Sequence, residues 1–198
     1  MDHVKLFVQG DTKAPQRKRG DAGIDLFMPN LSEQLIKDLA EKNPGQPFRW
    51  GLLGSRMDPT SDIAKGVYLY VPQGEDILIP TYVSARIPEN VVLIMNNKSG
   101  VCTNQKLVVG ADVIDSSYQG IIYIHVFNPS NTLRFVEFGQ KLAQMIPQVF
   151  DDQEIEIFYD NQIETFKEYK NFVSRDDFYA GHDSDRGDKG FGEGTGLN

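Results

Sequence analysis

Short apolar runs separated by turn residues dominate the chain from Val67 to Phe150. These runs read GVYLYVPQG, DILIPTYVSARIPEN, VVLIMNN, KLVVGADVID, GIIYIHVFNPSN, LRFVEFGQ and LAQMIPQVF. Runs at such close spacing predict antiparallel strands in a barrel or a sandwich, because βαβ units would need helical crossovers between the strands. Two earlier runs, VKLFV at 4–8 and AGIDLFM at 22–28, predict two more strands. The pattern predicts an all-β fold.

Helical periodicity is confined to the segment LSEQLIKDLAEKN at 31–43, where Leu31, Leu35, Ile36 and Leu39 fall on one face. Ser32 and Glu33 offer start signals for this helix. The Pro- and Gly-rich stretch at 44–62 predicts a loop, and EIEIFYD at 154–160 predicts a last strand. The segment at 166–185 is compatible with one helix or with irregular structure. The sequence therefore predicts a small helical insertion in a β fold.

Length and composition indicate one globular domain with a substantial core, since 40% of the 198 residues are hydrophobic. No apolar run reaches the roughly 20 residues that span a bilayer, and the first residues lack the apolar core of a secretory signal. We therefore expect a cytoplasmic protein with no membrane partner. The single cysteine, Cys102, excludes an internal disulfide, and no Cys/His cluster has zinc-site spacing.

The net charge of −8 lies almost entirely in the last quarter of the chain. Residues 151–198 contain 13 Asp and Glu against 5 Lys and Arg, whereas residues 1–150 contain 15 of each kind. Binding along a nucleic-acid backbone needs several clustered cations, so we expect no nucleic-acid partner. Any phosphate binding must be local, through a few placed cations, backbone N–H groups and a metal ion.

The segment GADVIDSSYQG at 110–120 combines a strand, a tight turn and a tyrosine, and it resembles the GVIDxDYxG hairpin of the trimeric dUTPase family. The resemblance implies that Asp115 orients and deprotonates the attacking water and that Tyr118 packs under the deoxyribose. It also implies that the hairpin backbone, at Asp112, Val113 and Ile114, reads the uracil edge. The role of Asp115 is physically sound, because a carboxylate within hydrogen-bond reach can accept the proton of a water nucleophile. Taken without the other segments, the same residues favour a structural interpretation, in which Asp115 and Ser116 form an Asx-type turn and Tyr118 packs in the core.

Two segments resemble the family's phosphate-binding regions. NNKSGV at 96–101 is similar to the PRSG segment, which implies phosphate contacts from Lys98, Ser99 and Gly100. Lys98 stands where arginine is usual, so the positive charge is kept but the bidentate fork is lost. GQKLAQMIPQVF at 139–150 resembles GDRIAQLI, which implies that Gln144 donates a hydrogen bond to the phosphate chain. We therefore expect Ser99 and Gln144 to join Asp115 in the catalytic set.

The first and last segments complete the resemblance. AGIDLFMP at 22–29 is similar to AGxDLxA, which implies that Asp25 supports the water shell of a metal and does not bind the metal directly. RGDKGFGEGTG at 186–196 resembles the C-terminal arm RGxGGFGSTG, which closes over bound nucleotide. Substrate contacts are then expected from Arg186, Lys189, Phe191, Gly192 and Thr195. Lys189 in place of glycine and Glu193-Gly194 in place of one serine are departures from the family's arm.

The family resemblance implies a jelly-roll-like β-barrel, a homotrimer with sites at the subunit interfaces, and hydrolysis of dUTP to dUMP and pyrophosphate. It implies Mg²⁺ held mainly by the three phosphates. We expect one domain over 1–185, with insertions at about 30–66 and 158–185, and a flexible arm at 186–198.

Two other interpretations remain open at this point. The dCTP deaminases share the fold and resemble this chain through GIIYIHVFN, but they carry a catalytic glutamate where His125 stands. A catalytically weak regulatory module with the dUTPase fold would account for the departures at Lys98 and Lys189. Ammonia release from dCTP would identify the deaminase, and no turnover of dUTP would favour the binding module.

Overall fold

The computed structural model describes residues 3–45, 50–52, 67–150, 159–160 and 172–180. The chain divides into two compact units, Met1–Asp151 and Asp152–Asn198. The expected arm at 186–198 lies outside the described residues, and a single domain over 1–185 remains a prediction.

The described residues of the first unit form antiparallel strands and one α-helix. In chain order its elements are β1 (Lys5–Val8), β2 (Ile24–Phe27), α1 (Glu33–Lys42), β3 (Trp50–Leu52), β4 (Val67–Val71), β5 (Asp76–Pro80), β6 (Val83–Arg86), β7 (Val91–Asn97), β8 (Val108–Gly110), β9 (Val113–Ile114), β10 (Tyr123–Phe127), β11 (Arg134–Glu137) and β12 (Lys141–Val149), with a π-helical turn at Val101–Gln105. The predicted all-β class with a small helical insertion is confirmed.

Four sheets arise from these strands, in the orders β2-β12-β7-β9, β5-β10-β8, β11-β4-β3 and β1-β6. The long strand β12 is central to the first sheet, since it pairs with β7 from Ala143↔Asn97 to Val149↔Val91 and with β2 on its other side. Alternation along the strands places one face in the core, as in β10, where Ile124 and Val126 are buried. This first sheet carries the segments expected to bind phosphate.

Helix α1 confirms the helix predicted at 31–43 and packs on the barrel through buried Leu35 and Leu39. The Ser32 hydroxyl caps it by accepting a hydrogen bond from the Leu35 N–H at 3.1 Å. At its other end the Asn43 side chain pairs with the backbone of Leu78 on β5, accepting from the N–H at 2.7 Å and donating to the carbonyl at 3.0 Å. The insertion is therefore joined to the sheet by polar as well as apolar contacts.

The structure corrects two expectations. The stretch at 44–62, predicted to be a loop, contains β3, which pairs with β4 in the register Trp50↔Leu69 and Leu52↔Val67. The many Pro and Gly residues of this stretch obscured the short strand pattern of Trp50, Gly51 and Leu52. The run DILIPTYVSARIPEN forms two strands and not one, because Tyr82 between β5 and β6 has a φ of +57°. A bulky residue in this region costs about 1–3 kcal/mol and turns the chain sharply.

In the second unit, the described strands β13 (Tyr159–Asp160) and β14 (Phe172–Val173) pair in parallel. The helical turn α2 (Arg175–Phe178) follows, and the Ser174 hydroxyl accepts from the Asp177 N–H at 3.1 Å at its start. Of the strand predicted at 154–160, only the last two residues lie within the described part of the chain. No helix among the described residues is long and apolar enough to cross a membrane.

Candidate functional site

Asp25 on β2 lies between two lysines. Its two carboxylate oxygens accept hydrogen bonds from Lys98 Nζ at 2.5 Å and from Lys141 Nζ at 2.7 Å. Lys98 follows the end of β7 and Lys141 begins β12, so three separate segments meet at this carboxylate. The Asp25 side chain is only 13% exposed, which strengthens these ion pairs relative to pairs at the open surface.

The protonation of Asp25 is shifted by these contacts. Burial alone would raise the pKa of the carboxyl, but hydrogen bonds and charge from Lys141 and Lys98 outweigh it and hold the pKa below its ordinary value of 3.8. The stabilisation of the fold by the ion pairs of Asp25 is therefore fully present above pH 3.8, and it is lost as the pH falls through the lower folded-state pKa of Asp25.

We expect Asp25→Asn to lower the free energy of unfolding by about 1–3 kcal/mol at pH 7, because two partly buried ammonium groups lose their anion. The difference from wild type should be constant above about pH 5, shrink below pH 3.8 and disappear under the folded-state pKa. Urea unfolding at a series of pH values measures it. Glu89→Gln, at an exposed position, is the control, and a deficit in Asp25→Asn that persists at the lowest pH would contradict the assignment.

Gln144 lies beside Asp25 in the same sheet, opposite Asp25 on β2 and opposite Asn96 on β7. Its side-chain Nε2 donates to the Asn97 carbonyl at 2.9 Å. Gly23 approaches the other end of this amide so closely that a Cβ there would lie 2.4 Å from Gln144 Oε1. The position before β2 therefore requires glycine if the Gln144 side chain is to keep this orientation.

The segment after β7 places Ser99 and Gly100 at an exposed bend where a helical turn begins. The Ser99 carbonyl accepts from the Thr103 hydroxyl at 2.7 Å, and the Lys98 carbonyl accepts from the Cys102 N–H at 2.9 Å. Both bonds fix the bend and leave the Ser99 hydroxyl exposed. The Lys98 ammonium, expected to face phosphate, is bonded to Asp25 in this structure.

The hairpin after β8 is attached to the same sheet by β9, whose Val113 and Ile114 pair with Ile94 and Leu93 of β7. The Asp112 carbonyl accepts from the Met95 N–H at 2.6 Å. Asp115 follows β9 directly, and its carbonyl accepts from the Tyr118 N–H at 3.1 Å to close the turn. The Asp115 carboxylate is exposed and has no hydrogen-bond or ion-pair partner among the described residues.

Tyr118 folds back over its own hairpin. Its hydroxyl donates to the Ile121 carbonyl at 2.7 Å, although the residue remains 43% exposed. A Cβ at Gly120 would lie 2.6 Å from the same hydroxyl, so the glycine leaves the space that the ring occupies. The tyrosine ring is thus held against the hairpin with one part open to solvent.

The structure thus brings together Asp25, Lys98 and Gln144 on one sheet, and Asp115 and Tyr118 on the attached hairpin. Within the described residues no hydrogen bond or ion pair connects the two groups. Arg186, Lys189, Phe191, Gly192 and Thr195 lie outside the described residues. The assignment of all these residues to a substrate site therefore stays a prediction.

Sequence reasoning did not single out Lys141 or Asn97 for this cluster. Asn97 supports it twice, because its carbonyl accepts from Gln144 and its Oδ1 accepts from the Val109 N–H at 2.8 Å. The available signal was the antiparallel pairing itself, which sets Asn97 opposite Ala143 and so brings it beside Gln144. Lys141 stands where the family has arginine, and that substitution was the available signal for an ion pair.

The donor groups do not form a protein cage for a metal ion. Both Asp25 oxygens are bonded to lysines, which makes this carboxylate a poor direct ligand. Across the described residues, no group of three or more His, Cys, Asp or Glu side chains is placed to hold a metal. These donors do not fit a directly coordinated Mg²⁺ ion.

A match to a known family decides the relationship of this chain. The family model described as dUTPase matches residues 55–175, which is more than half of the chain. The chain belongs to the dUTPase family. Among curated relatives, the deoxyuridine 5'-triphosphate nucleotidohydrolase of Oryza sativa is 32% identical over 120 residues, covering 61% of this chain and 67% of that protein. The Arabidopsis thaliana enzyme of the same name is 34% identical over 93 residues, covering 47% of this chain and 56% of that protein.

Solved dUTPase structures share the fold. The Staphylococcus bacteriophage 80alpha dUTPase with dUPNHPP superposes with a TM-score of 0.60 at 18% identity, covering 98% of each chain. The native EIAV dUTPase superposes with a TM-score of 0.53 at 19% identity, covering 81% of this chain and all of that one. These neighbours confirm the jelly-roll-like β fold expected of the family.

Proposed function

We propose that this dUTPase family member hydrolyses dUTP to dUMP and pyrophosphate. The observation that carries the proposal is the exposed Asp115 carboxylate, which has no partner among the described residues and is fixed by a tight turn next to Tyr118. A carboxylate in an ion pair would be a weak base, whereas this one is free to accept a proton. The plant relatives named above support dUTP as the substrate.

Asp115 accepts a proton from a water molecule as the water oxygen forms a bond to the α-phosphorus. The bond from the α-phosphorus to the bridging oxygen of the β-phosphate breaks in line with this attack. Pyrophosphate then leaves with the bonding electron pair. Asp115 afterwards releases its proton to solvent, so the step consumes one water and needs no other reactant.

The phosphate chain is expected to lie at the bend of Ser99 and Gly100 and beside Gln144. The Ser99 hydroxyl is exposed and able to donate, and Gln144 has a donor that is now bonded to the Asn97 carbonyl. Lys98 shares Asp25 with Lys141, so Asp25 keeps one cationic partner if Lys98 turns toward phosphate. The paired lysines therefore let a cation be used without leaving the carboxylate unpaired.

Selectivity for dUTP requires exclusion of the thymine methyl group and of the ribose 2′-hydroxyl. Loss of one apolar contact is worth only about 1–3 kcal/mol, so steric exclusion is the stronger device. The hairpin backbone at 112–114 would press against C5 of uracil, and the Tyr118 ring would lie under C2′. The hydrogen bond from Tyr118 to Ile121 supports this position of the ring.

Three further elements of the proposal come from the family. Bound to the triphosphate, Mg²⁺ would supply charge neutralisation, and Asp25 would support it indirectly. A structure of the dUTPase from S. aureus phage phi11 is described as revealing the coordination of a structural Mg(II) ion. The chain would form a homotrimer, with the arm bringing Arg186 to the γ-phosphate and Phe191 to the uracil ring.

Pyrophosphate release from dUTP, dCTP, dTTP and UTP tests the proposal, with each nucleotide assayed with and without Mg²⁺. We expect pyrophosphate release from dUTP and not from the other three nucleotides. We expect this release to be much faster with Mg²⁺ than without it. Ammonia from dCTP would replace the proposal with deamination, although His125 bonds Asp76 at 2.8 Å where the deaminases have glutamate. No turnover of any nucleotide, together with tight dUTP binding, would indicate a regulatory module. Sedimentation measures whether the chain is trimeric.

A further inference from the structure

Tyr82 adopts a strained backbone conformation at a buried position in the barrel. It lies between β5 and β6 with a φ of +57° and is only 6% exposed. Tyrosine rarely adopts this region, so the surrounding contacts must stabilise it there. Backbone strain of this kind is concentrated at functional positions, which makes the contacts of Tyr82 informative.

The contacts of Tyr82 connect it to the inserted helix α1. Its hydroxyl donates to Asp38 Oδ2 of α1 at 2.6 Å, and burial together with this bond raises the pKa of the tyrosine well above its ordinary value. The ring packs on Gly10, where a Cβ would lie 3.0 Å from it. Asp38 is itself oriented by Gln34, which donates to its other oxygen at 2.8 Å. The orientation of Tyr82 is therefore fixed by the helix.

The two neighbours of Tyr82 hold the strand that returns from the hairpin. The Thr81 hydroxyl and N–H both donate to the Ile122 carbonyl, at 2.7 Å and 3.0 Å. The Ile122 N–H donates to the Val83 carbonyl at 2.7 Å. Ile122 is therefore bonded on both of its backbone groups by the residues that flank Tyr82.

Ile122 is one residue from the contact that positions Tyr118. The carbonyl of Ile121 accepts the Tyr118 hydroxyl at 2.7 Å, so a shift of the Ile121–Ile122 backbone moves the acceptor of that bond. Three sets of hydrogen bonds, linked by the covalent backbone at residues 81–83 and 121–122, thus lead from α1 to the exposed tyrosine of the hairpin. Burial also raises the pKa of Tyr123, the next residue.

We propose that Asp38 and Tyr82 are positioning residues for Tyr118, and that the inserted helix α1 thereby sets the selectivity for deoxyribose over ribose. The part of this proposal that concerns selectivity rests on the proposed dUTP hydrolysis. The bond between Asp38 and Tyr82 keeps the turn at residues 81–83 in its strained form, which fixes Ile122 and the acceptor of the Tyr118 hydroxyl. Without that bond the turn relaxes and the Tyr118 ring no longer has one position.

Amide hydrogen exchange on the unliganded protein tests the coupling without any activity. We expect Tyr82→Phe, which keeps the ring on Gly10 but removes the donor, to speed exchange at Ile122 and Tyr118 about tenfold or more. Asp38→Ala should do the same, and Asp38→Asn, which keeps an acceptor, should do so less. Tyr70→Phe is the matched control, because within the described residues Tyr70 makes a ring contact with Phe135 and its hydroxyl has no described bond. Unchanged exchange at Ile122 in both Tyr82→Phe and Asp38→Ala would overturn the proposal.

The ratio of kcat/KM for dUTP to that for UTP tests the selectivity. In Tyr82→Phe we expect this ratio to fall about five- to tenfold, mainly through a lower KM for UTP because the ring no longer excludes the 2′-hydroxyl, with kcat for dUTP changed less than twofold. The Tyr70→Phe ratio should equal that of wild type. Faster exchange with an unchanged ratio would overturn the selectivity role. If the wild-type protein does not hydrolyse dUTP, the proposed function fails, while the exchange data still decide whether α1 positions Tyr118.

Discussion

Asp115→Asn should lower kcat for dUTP hydrolysis by about 10²- to 10⁴-fold, the range that a general base contributes. Asparagine keeps the size and turn-forming ability of aspartate but cannot accept the proton of the attacking water. The stability should not change, because the Asp115 side chain is exposed and without a partner in the described part of the chain. Pyrophosphate release under saturating dUTP and Mg²⁺, with thermal unfolding of both proteins, measures the two quantities.

Glu89→Gln is the control for this substitution, since it removes an exposed carboxylate by the same chemistry at a position that the proposed site does not use. It should retain the wild-type rate. Equal kcat values in wild type and Asp115→Asn would remove Asp115 from the mechanism. A loss of kcat accompanied by a lower melting temperature would show that the substitution acts on folding and not on proton transfer.

Much of the fold followed from local patterns. Alternating apolar residues predicted strands such as β10, where Ile124 and Val126 face the core, because period-two burial is a local property. The helix at 31–43 was equally visible, since its buried Leu35 and Leu39 are one turn apart. Both signals come from neighbours along the chain and need no knowledge of the sheet order.

Features set by distant contacts were not accessible in this way. The pairing of Lys141 with Asp25 depends on the register of β12 against β2, which is shifted by an irregularity between Lys141 and Ala143. The turn at Tyr82 depends on contacts with Gly10 and Asp38, far away in sequence. Such features arise only when separate segments meet.

The candidate site likewise has one part that could be predicted from the sequence and one part that could not. The hairpin from Gly110 to Gly120 is a local structure, so its motif could be recognised and its turn at Asp115 anticipated. The environment of Lys98 could not be anticipated, because its ion-pair partner, Asp25, lies on a strand more than 70 residues earlier in the chain. A motif therefore identifies a residue type at a position, while its charge partner depends on the assembled sheet.

Asn128→Ala should lower the free energy of unfolding by about 3–5 kcal/mol, because it leaves one buried and several partly buried groups without partners. Asn128 is fully buried at the end of β10. The two N–H donors of its Nδ2 are shared by the carbonyls of Val71, Pro72 and Thr132 at 2.9–3.0 Å, and its Oδ1 accepts from the Ser130 N–H and hydroxyl at 3.1 Å and 2.6 Å. Alanine supplies none of these bonds, and urea unfolding at neutral pH measures the loss.

Two variants separate the hydrogen bonds of Asn128 from the loss of its volume. Asn128→Asp keeps the acceptor toward Ser130 but sets a carboxylate against three carbonyl oxygens, so it should destabilise at least as much as alanine at neutral pH. Asn131→Ala, at an exposed loop position nearby, should change stability by less than about 0.5 kcal/mol. An Asn128→Ala deficit as small as that of Asn131→Ala would mean that the carbonyls find other partners. A large deficit would show that this one amide joins β4, β10 and the following loop, since no other side chain in the described residues bonds all three carbonyls.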